Sequence, residues 1–160
     1  MSEVVVISGH PSPGSSTLQL ATAVGERIAA SRGDSTFDMV DVAELGPGLL
    51  VTGDRATGEA LLTVQDATLL IVATPAWRGT FSGALKVLLD QLPANALAGV
   101  LAVPVVTADV QPQADTAEAF LARLLSELGA DVVDFGLTAV GPELAEPVAV
   151  ADLYASAIIR

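Results

Sequence analysis

Three stretches of this chain run without polar alternation: Val4 to Ile7, Thr68 to Ala73 and Val100 to Val106. Side chains along a strand alternate between the two faces of a sheet, so an unbroken aliphatic run marks a strand covered on both sides. Such strands belong to a parallel sheet packed between helices.

The segments between them have helical spacing. Leu20, Ala21, Val24 and Ile28 recur on one face, with Ser15 or Ser16 as the cap and Gly33 just past the end. Phe37 to Val42 reads as a second strand, and Ala56, Ala60, Leu61 and Val64 mark a short second helix. Leu85, Leu88, Leu89 and Leu92 share a helical face that Ser82 is placed to cap. Leu121, Leu124, Leu125 and Leu128 form the next, with Asp115 and Glu118 expected as a capping box and Gly129 as the stop. Ala130 to Phe135 is the fifth strand, and after Gly141-Pro142 the terminal helix is expected over Val148 to Ile159. Five strands alternating with helices require right-handed crossovers, hence a doubly wound α/β sheet with helices on both faces. Pro104 removes an amide donor inside the fourth strand, where a bulge is expected.

At 160 residues the chain is expected to form one domain, 1–160. Its longest apolar stretch, Ala96 to Val106, is broken by Gly99 and Pro104, so no membrane span is expected. The start carries Glu3 and no basic residue before its apolar run, unlike a secretory signal, which points to the cytoplasm. The absence of cysteine excludes disulfides and thiolate chemistry, and a single His excludes a multi-histidine zinc site. Nineteen acids against seven bases give a formal charge of −12, which repels nucleic acid. Any phosphate must therefore be held locally. Val4 to Gly25 carries no formal charge, and Ala67 to Leu89 carries Arg78 and Lys86 but no acid. These two windows tolerate an anion.

Ligands of open parallel sheets bind beyond the carboxyl ends of the strands. That rule singles out Ser8 to Thr17, Thr74 to Thr80 and Thr107 to Gln113. The first loop is rich in hydroxyls and leads into a helix start, whose amides and dipole favour a phosphate without a basic cluster. Gly9 and Gly14 have P-loop spacing, but Ser15 stands where the gripping Lys belongs, which argues against a nucleotide hydrolase. No GxGxxG follows the first strand, and no acid ends it to accept a phosphoryl group. His10 is a candidate contact to a phosphate or to the flank of a cofactor, although a lone loop His is more often merely solvated.

The second loop and the helix after it, Thr74-Pro75-Ala76-Trp77-Arg78-Gly79-Thr80-Phe81-Ser82-Gly83-Ala84-Leu85-Lys86, resemble the NAD(P)H-dependent FMN reductase family. The likeness is greatest to the flavin-reductase components of alkanesulfonate-type two-component monooxygenases, and it runs through roughly residue 135. The resemblance implies a flavodoxin-like fold of strand order 2-1-3-4-5, and FMN reduced by NADPH or NADH. It also implies a homodimer or homotetramer and a flavin-dependent monooxygenase as recipient of the reduced flavin. Ser15, Ser16 and Thr17 match the family's phosphate-binding cluster; Pro75, Ala76, Trp77, Arg78 and Gly79 match its flavin-ring loop. His10 and Ser12 stand where the family commonly has Ser and Arg, and Thr107-Ala108-Asp109 replaces a Thr-Gly-Gly loop at the flavin edge. Trp77 is expected against the isoalloxazine, a neighbouring subunit or the core, and Arg78 toward the dinucleotide phosphate or solvent. The alternatives are an FMN-retaining quinone or azo reductase, a flavodoxin-type electron carrier, or a member that no longer binds flavin.

Overall fold

A computed structural model describes residues 3–34 and 36–158. In chain order the elements are β1 (Val4–Ser8), α1 (Ser16–Ser31), β2 (Asp38–Asp41), α2 (Val42–Leu45), α3 (Arg55–Gln65), β3 (Leu69–Pro75) and α4 (Gly83–Asp90). They continue with β4 (Leu101–Ala108), α5 (Gln111–Glu127), β5 (Asp131–Val132), β6 (Leu137–Val140) and α6 (Pro147–Ile158). Short 3₁₀ turns cover Gly46–Leu50 and Gly141–Ala145.

The strands form one parallel sheet of order β2-β1-β3-β4-β5, with β6 also paired to β4, and helices cover both faces. This is the flavodoxin-like arrangement. Alternate residues of β1 serve opposite cores. Val4 and Val6 pack with Leu20, Val24 and Ile28 of α1 and with Ala151 and Tyr154 of α6. Val5 and Ile7 join Val64 of α3, Leu85, Leu88 and Leu89 of α4, and Leu121 and Leu125 of α5. The uninterrupted runs thus supply both layers at once, which is why they carry no polar alternation.

Ser15 is the residue that caps α1, its hydroxyl accepting the Leu18 amide at 3.1 Å, and Ser82 caps α4 through the Leu85 amide at 3.0 Å. The expected capping box of Asp115 and Glu118 is absent. α5 begins a turn earlier at Gln111, with Val110 as a cap that makes no side-chain bond and Pro112 in the first turn. Proline pre-sets the helical φ and has no amide to leave unsatisfied there, so it starts the helix upstream of the acids. Asp115 instead accepts the Gln111 side-chain amide at 2.7 Å. α2 and the Gly46–Leu50 turn were not legible, being too short for a helical period. Of the terminal helix, Ile159 lies outside the described residues.

The fifth strand also differs from the expected Ala130 to Phe135. It is divided: β5 pairs Leu101 and Ala102, β6 pairs Val105 to Ala108, and Val103 and Pro104 face the gap between them. The Val133 amide donates to the Ala102 carbonyl at 3.1 Å, so the even-numbered residues of β4 turn their polar groups toward this edge. There Pro104 offers no donor. The disruption expected in β4 falls instead on its neighbour. Gly136 crosses the gap so closely that a Cβ would stand 2.5 Å from the Pro104 carbonyl oxygen.

No helix among the described residues is long and apolar enough to cross a membrane. Gly136→Ala tests the crossing: with backbone rather than a flexible side chain in the way, about 1–3 kcal/mol of stability is expected to be lost, read from the urea midpoint.

Candidate functional site

The carboxyl ends of β1, β3 and β4 are fastened together by buried polar groups. The Gly9 amide donates to the Ala73 carbonyl at 2.8 Å, and a Cβ at Gly9 would lie 2.9 Å from that oxygen and from Leu85 Cβ. Only glycine lets β1 leave so close to β3 and α4. The Ser82 hydroxyl donates to the Gly9 carbonyl at 2.6 Å, while the Ser82 amide donates to Thr74 Oγ1 at 2.9 Å. Thr74 Oγ1 in turn donates to the Pro75 carbonyl at 2.9 Å. On the other side, the Ala76 amide donates to the Thr107 carbonyl at 2.8 Å, and the hydroxyls of Thr17 and Thr107 are 2.8 Å apart. All four hydroxyl-bearing residues are buried.

Beyond Ala76 the chain makes a tight hairpin. Trp77 and Thr80 exchange both backbone bonds, at 2.9 and 3.1 Å, around Arg78 and Gly79, whose φ values of 54° and 80° are both left-handed. A two-residue turn of this kind needs positive φ at both central positions. Gly79 meets that need freely; Arg78 meets it at a cost of about 1 kcal/mol.

His10, Ser16, Thr17, Pro75, Ala76, Trp77, Thr107, Ala108 and Asp109 line one cleft of about 180 Å³ at this edge. The other expected residues do not line it. Ser15 is turned to capping, Ser12 lies exposed in the first loop, and Arg78 and Gly79 form the hairpin tip. Leu144, from the 3₁₀ turn after β6, completes the wall and was missed in the sequence. The signal for it was the Gly141-Pro142 break, which follows a strand at the same sheet edge as the other loops. Larger clefts exist elsewhere, but the one of about 410 Å³ is lined by Asp38, Asp41, Glu44 and Glu59, a poor host for an anion.

Donors at the chosen edge are unspent. Among the described residues, the amides of Ser16 and Thr17 in the first turn of α1, and those of Arg78 and Gly79, have no acceptor. The Ser8 hydroxyl is fully buried and has no hydrogen-bond partner among the described residues. The first-turn amides and the positive end of the α1 dipole suit a phosphate.

Among the described residues no Lys or Arg lines the cleft. His10 sits edge-on to Trp77, ring centroids 5.0 Å apart, and its Nδ1 accepts the Ser12 amide at 3.0 Å. Burial holds its pKa below the ordinary imidazole value, with the nearby Asp41 carboxylate opposing that shift. The geometry therefore assigns a neutral ring protonated on Nε2. Asp41 is itself pushed up, chiefly by burial and against the bond it accepts from the Ala43 amide.

The fold and this edge define a flavodoxin-like protein with open first-turn amides at the first helix and an adjoining cleft between strand exits. Comparison with known proteins gives the family: residues 2–142 match the model of the NADPH-dependent FMN reductases, and the chain belongs to that family of oxidoreductases. It is 30% identical over 141 residues to the NADH-dependent FMN reductase SfnF of Pseudomonas putida, spanning 85% of this chain and 76% of that one. An FMN reductase (NADPH) of Escherichia coli strain K12 is 40% identical over 76 residues, 48% of this chain but only 40% of the relative's length. Among solved structures, an apo form of the NADH:FMN oxidoreductase EmoB superposes with a TM-score of 0.76 at 31% identity, covering 96% of this chain and 88% of that one. An azoreductase from Bacillus anthracis strain Sterne, at 15% identity and TM-score 0.63, shares the fold.

Ser82→Ala removes both a helix cap and the donor to Gly9. The expected loss is about 2–3 kcal/mol of stability, measured by denaturant unfolding, because a buried carbonyl is left without its partner.

Proposed function

We propose that the chain is an NAD(P)H-dependent FMN reductase that takes flavin as a substrate and releases it reduced. The observation that carries this reading is the pair of unspent amides at Ser16 and Thr17, in the first turn of α1 on the wall of the cleft, with those of Arg78 and Gly79 at the tip of the adjoining hairpin. The flavin phosphate is held by the amides of Ser16 and Thr17, and the isoalloxazine lies toward Pro75, Ala76 and Trp77. The family match and the FMN-reductase relatives support this assignment.

The chemistry belongs to the two ring systems, nicotinamide C4 giving hydride to flavin N5, so no side chain is asked to act as acid, base or nucleophile. The chain's task is alignment. The Thr74, Ser82 and Thr107 bonds fix three strand exits relative to one another, and so fix the phosphate corner relative to the ring cleft. At about 180 Å³ the cleft is smaller than the usual 300–1,000 Å³ of a ligand pocket, leaving part of the ring uncovered. Trp77, 41% exposed beside it, fits contact with the ring or with a second copy of the chain. A homo-oligomer is therefore part of the proposal, as is a flavin-dependent monooxygenase that consumes the product. The cytoplasm is the compartment proposed for both, since NAD(P)H is generated there.

Arg78 is assigned to the dinucleotide. Arg27, Arg32, Arg55, Lys86 and Arg123 all pair with carboxylates, whereas Arg78 has no ion-pair partner among the described residues. It stands at the hairpin tip next to the cleft, where a phosphate of the second substrate can reach it.

Purified protein is expected to be colourless and to accelerate NAD(P)H oxidation when FMN is added. A rate equal to that of FMN and NAD(P)H without protein would end the enzyme reading, and protein that purifies yellow would favour a flavin-retaining quinone or azo reductase. Arg78→Gln is expected to raise KM for the dinucleotide about tenfold with kcat little changed, the loss of one charge-assisted bond. An equal rise for NADH and NADPH assigns the contact to the pyrophosphate, and a rise for NADPH alone to the 2′-phosphate.

A further inference from the structure

The geometry points to Asp109 as the residue that makes this cleft favour oxidised over reduced flavin, so that the product is expelled by its own charge. The inference rests on the reading of the cleft as an FMN site, and it concerns the fate of the flavin after reduction.

Asp109 follows directly on β4 and is, among the described residues, the one carboxylate lining the cleft; the others there are His10, held neutral, and uncharged side chains. Among the described residues no Lys or Arg lines the wall to offset it, and Arg78, at the hairpin tip, lies outside that lining. Lys86, the other cation of this loop and helix, is bound to Asp90 at 2.6 Å. A carboxylate in this position has no local partner and nothing to organise; its effect is electrostatic.

The reaction makes that effect selective. NAD(P)H gives up a hydride, two electrons and one proton, and becomes NAD(P)⁺. The isoalloxazine is uncharged when oxidised; after hydride arrives at N5, with N1 unprotonated, the ring carries one negative charge. The phosphate is the same before and after, so its binding cancels from the comparison. A carboxylate on the cleft wall therefore acts on the difference between substrate and product, and a site can shift an equilibrium only by such a difference. For a solvent-open pair of unit charges several ångströms apart, the repulsion amounts to about a tenfold change in the ratio of the two affinities.

The consequence is directional. The α1 amides bind both forms through the phosphate, while Asp109 lowers the affinity of the reduced form alone. A neutral or cationic residue in its place would retain reduced flavin, as suits an enzyme that passes electrons to an acceptor entering the site. This arrangement suits delivery of free reduced flavin.

The test compares wild type, Asp109→Asn and Asp66→Asn. Asp66 is an exposed acid at the end of α3, just ahead of β3 and so at the other end of the strands from the cleft, and controls for net charge. Oxidised-FMN affinity is read from Trp77 fluorescence quenching, and the midpoint potential of FMN is measured spectroelectrochemically under saturating protein. Asp109→Asn is expected to raise the bound-flavin potential by about 30 mV, equivalent to a tenfold gain in the affinity ratio for this two-electron couple. Asp66→Asn is expected to leave it unchanged, and added salt to shrink the difference between wild type and Asp109→Asn. An unaltered potential in Asp109→Asn, an equal shift in Asp66→Asn, or equal weakening of oxidised and reduced binding would each overturn the inference while leaving the FMN site standing. If FMN neither quenches wild-type Trp77 nor changes potential in the presence of the protein, the reading of the site fails, and this inference with it.

Discussion

A strand covered on both faces has to surrender its backbone to the surface somewhere, and the polar groups released there must find partners before any ligand arrives. In this protein the Thr74 and Ser82 hydroxyls meet that need for two strand exits and a helix start together. Ser82 caps α4, and the same oxygen donates to Gly9, so the helix cannot form in its place without drawing the first loop against it. Thr107 repeats the device on the far side, its carbonyl taking the Ala76 amide and its hydroxyl meeting Thr17 in the first turn of α1. The site is an outcome of how the sheet terminates. Its shape needs no separate scaffold.

These internal bonds also decide which donors are left. Ala76, Trp77 and Thr80 spend their amides within the protein, so the hairpin offers only Arg78 and Gly79 outward, while Ser15 spends its hydroxyl on the Leu18 amide and leaves Ser16 and Thr17 open. An acidic chain can accept an anion on such terms. Oriented amides cost nothing in net charge and act over the first turn, whereas the repulsion of distant carboxylates is screened beyond about 10 Å at ordinary salt. Neutral His10 belongs to the same pattern: pinned by Ser12 and set edge-on to Trp77, it contributes shape to the cleft.

Much of this was readable in the sequence because it depends on residues whose role is local. Val4–Ile7 and Leu69–Ala73 announce doubly covered strands, and Ser15 and Ser82 announce helix starts, from neighbours within a turn. The three loops were placed at one edge by the rule for parallel sheets, and nine of the residues drawn from them do share a wall. Long-range facts were hidden. No pattern in Thr17 and Thr107, ninety positions apart, reveals that their hydroxyls touch. The capping box at Asp115 failed because Pro112 competes for the helix start, and a local signal loses to a stiffer one nearby. Arg78 had no signature at all of its left-handed backbone, since the turn that imposes it is fixed by Gly79 and by the pairing of Trp77 with Thr80.

The divided fifth strand shows how a single missing hydrogen-bond donor reaches the site. Pro104 cannot satisfy a partner on the outer edge of β4, so pairing stops after Ala102 and resumes at Val105, with Gly136 threading the gap. The carbonyl freed at Phe135 is taken by the Tyr154 hydroxyl at 2.9 Å, and burial raises that phenol to about 12, which keeps it protonated and donating. Resumption is what matters for function. β6 now lies beside Val105–Ala108, the segment of β4 that enters the cleft, and the chain leaving it turns through Gly141–Ala145 to set Leu144 in the wall. Had the strand continued unbroken from Asp131, it would have left the sheet with a different register and carried a different residue to that position. The fourth wall of the cleft is thus a consequence of one proline in the strand next door.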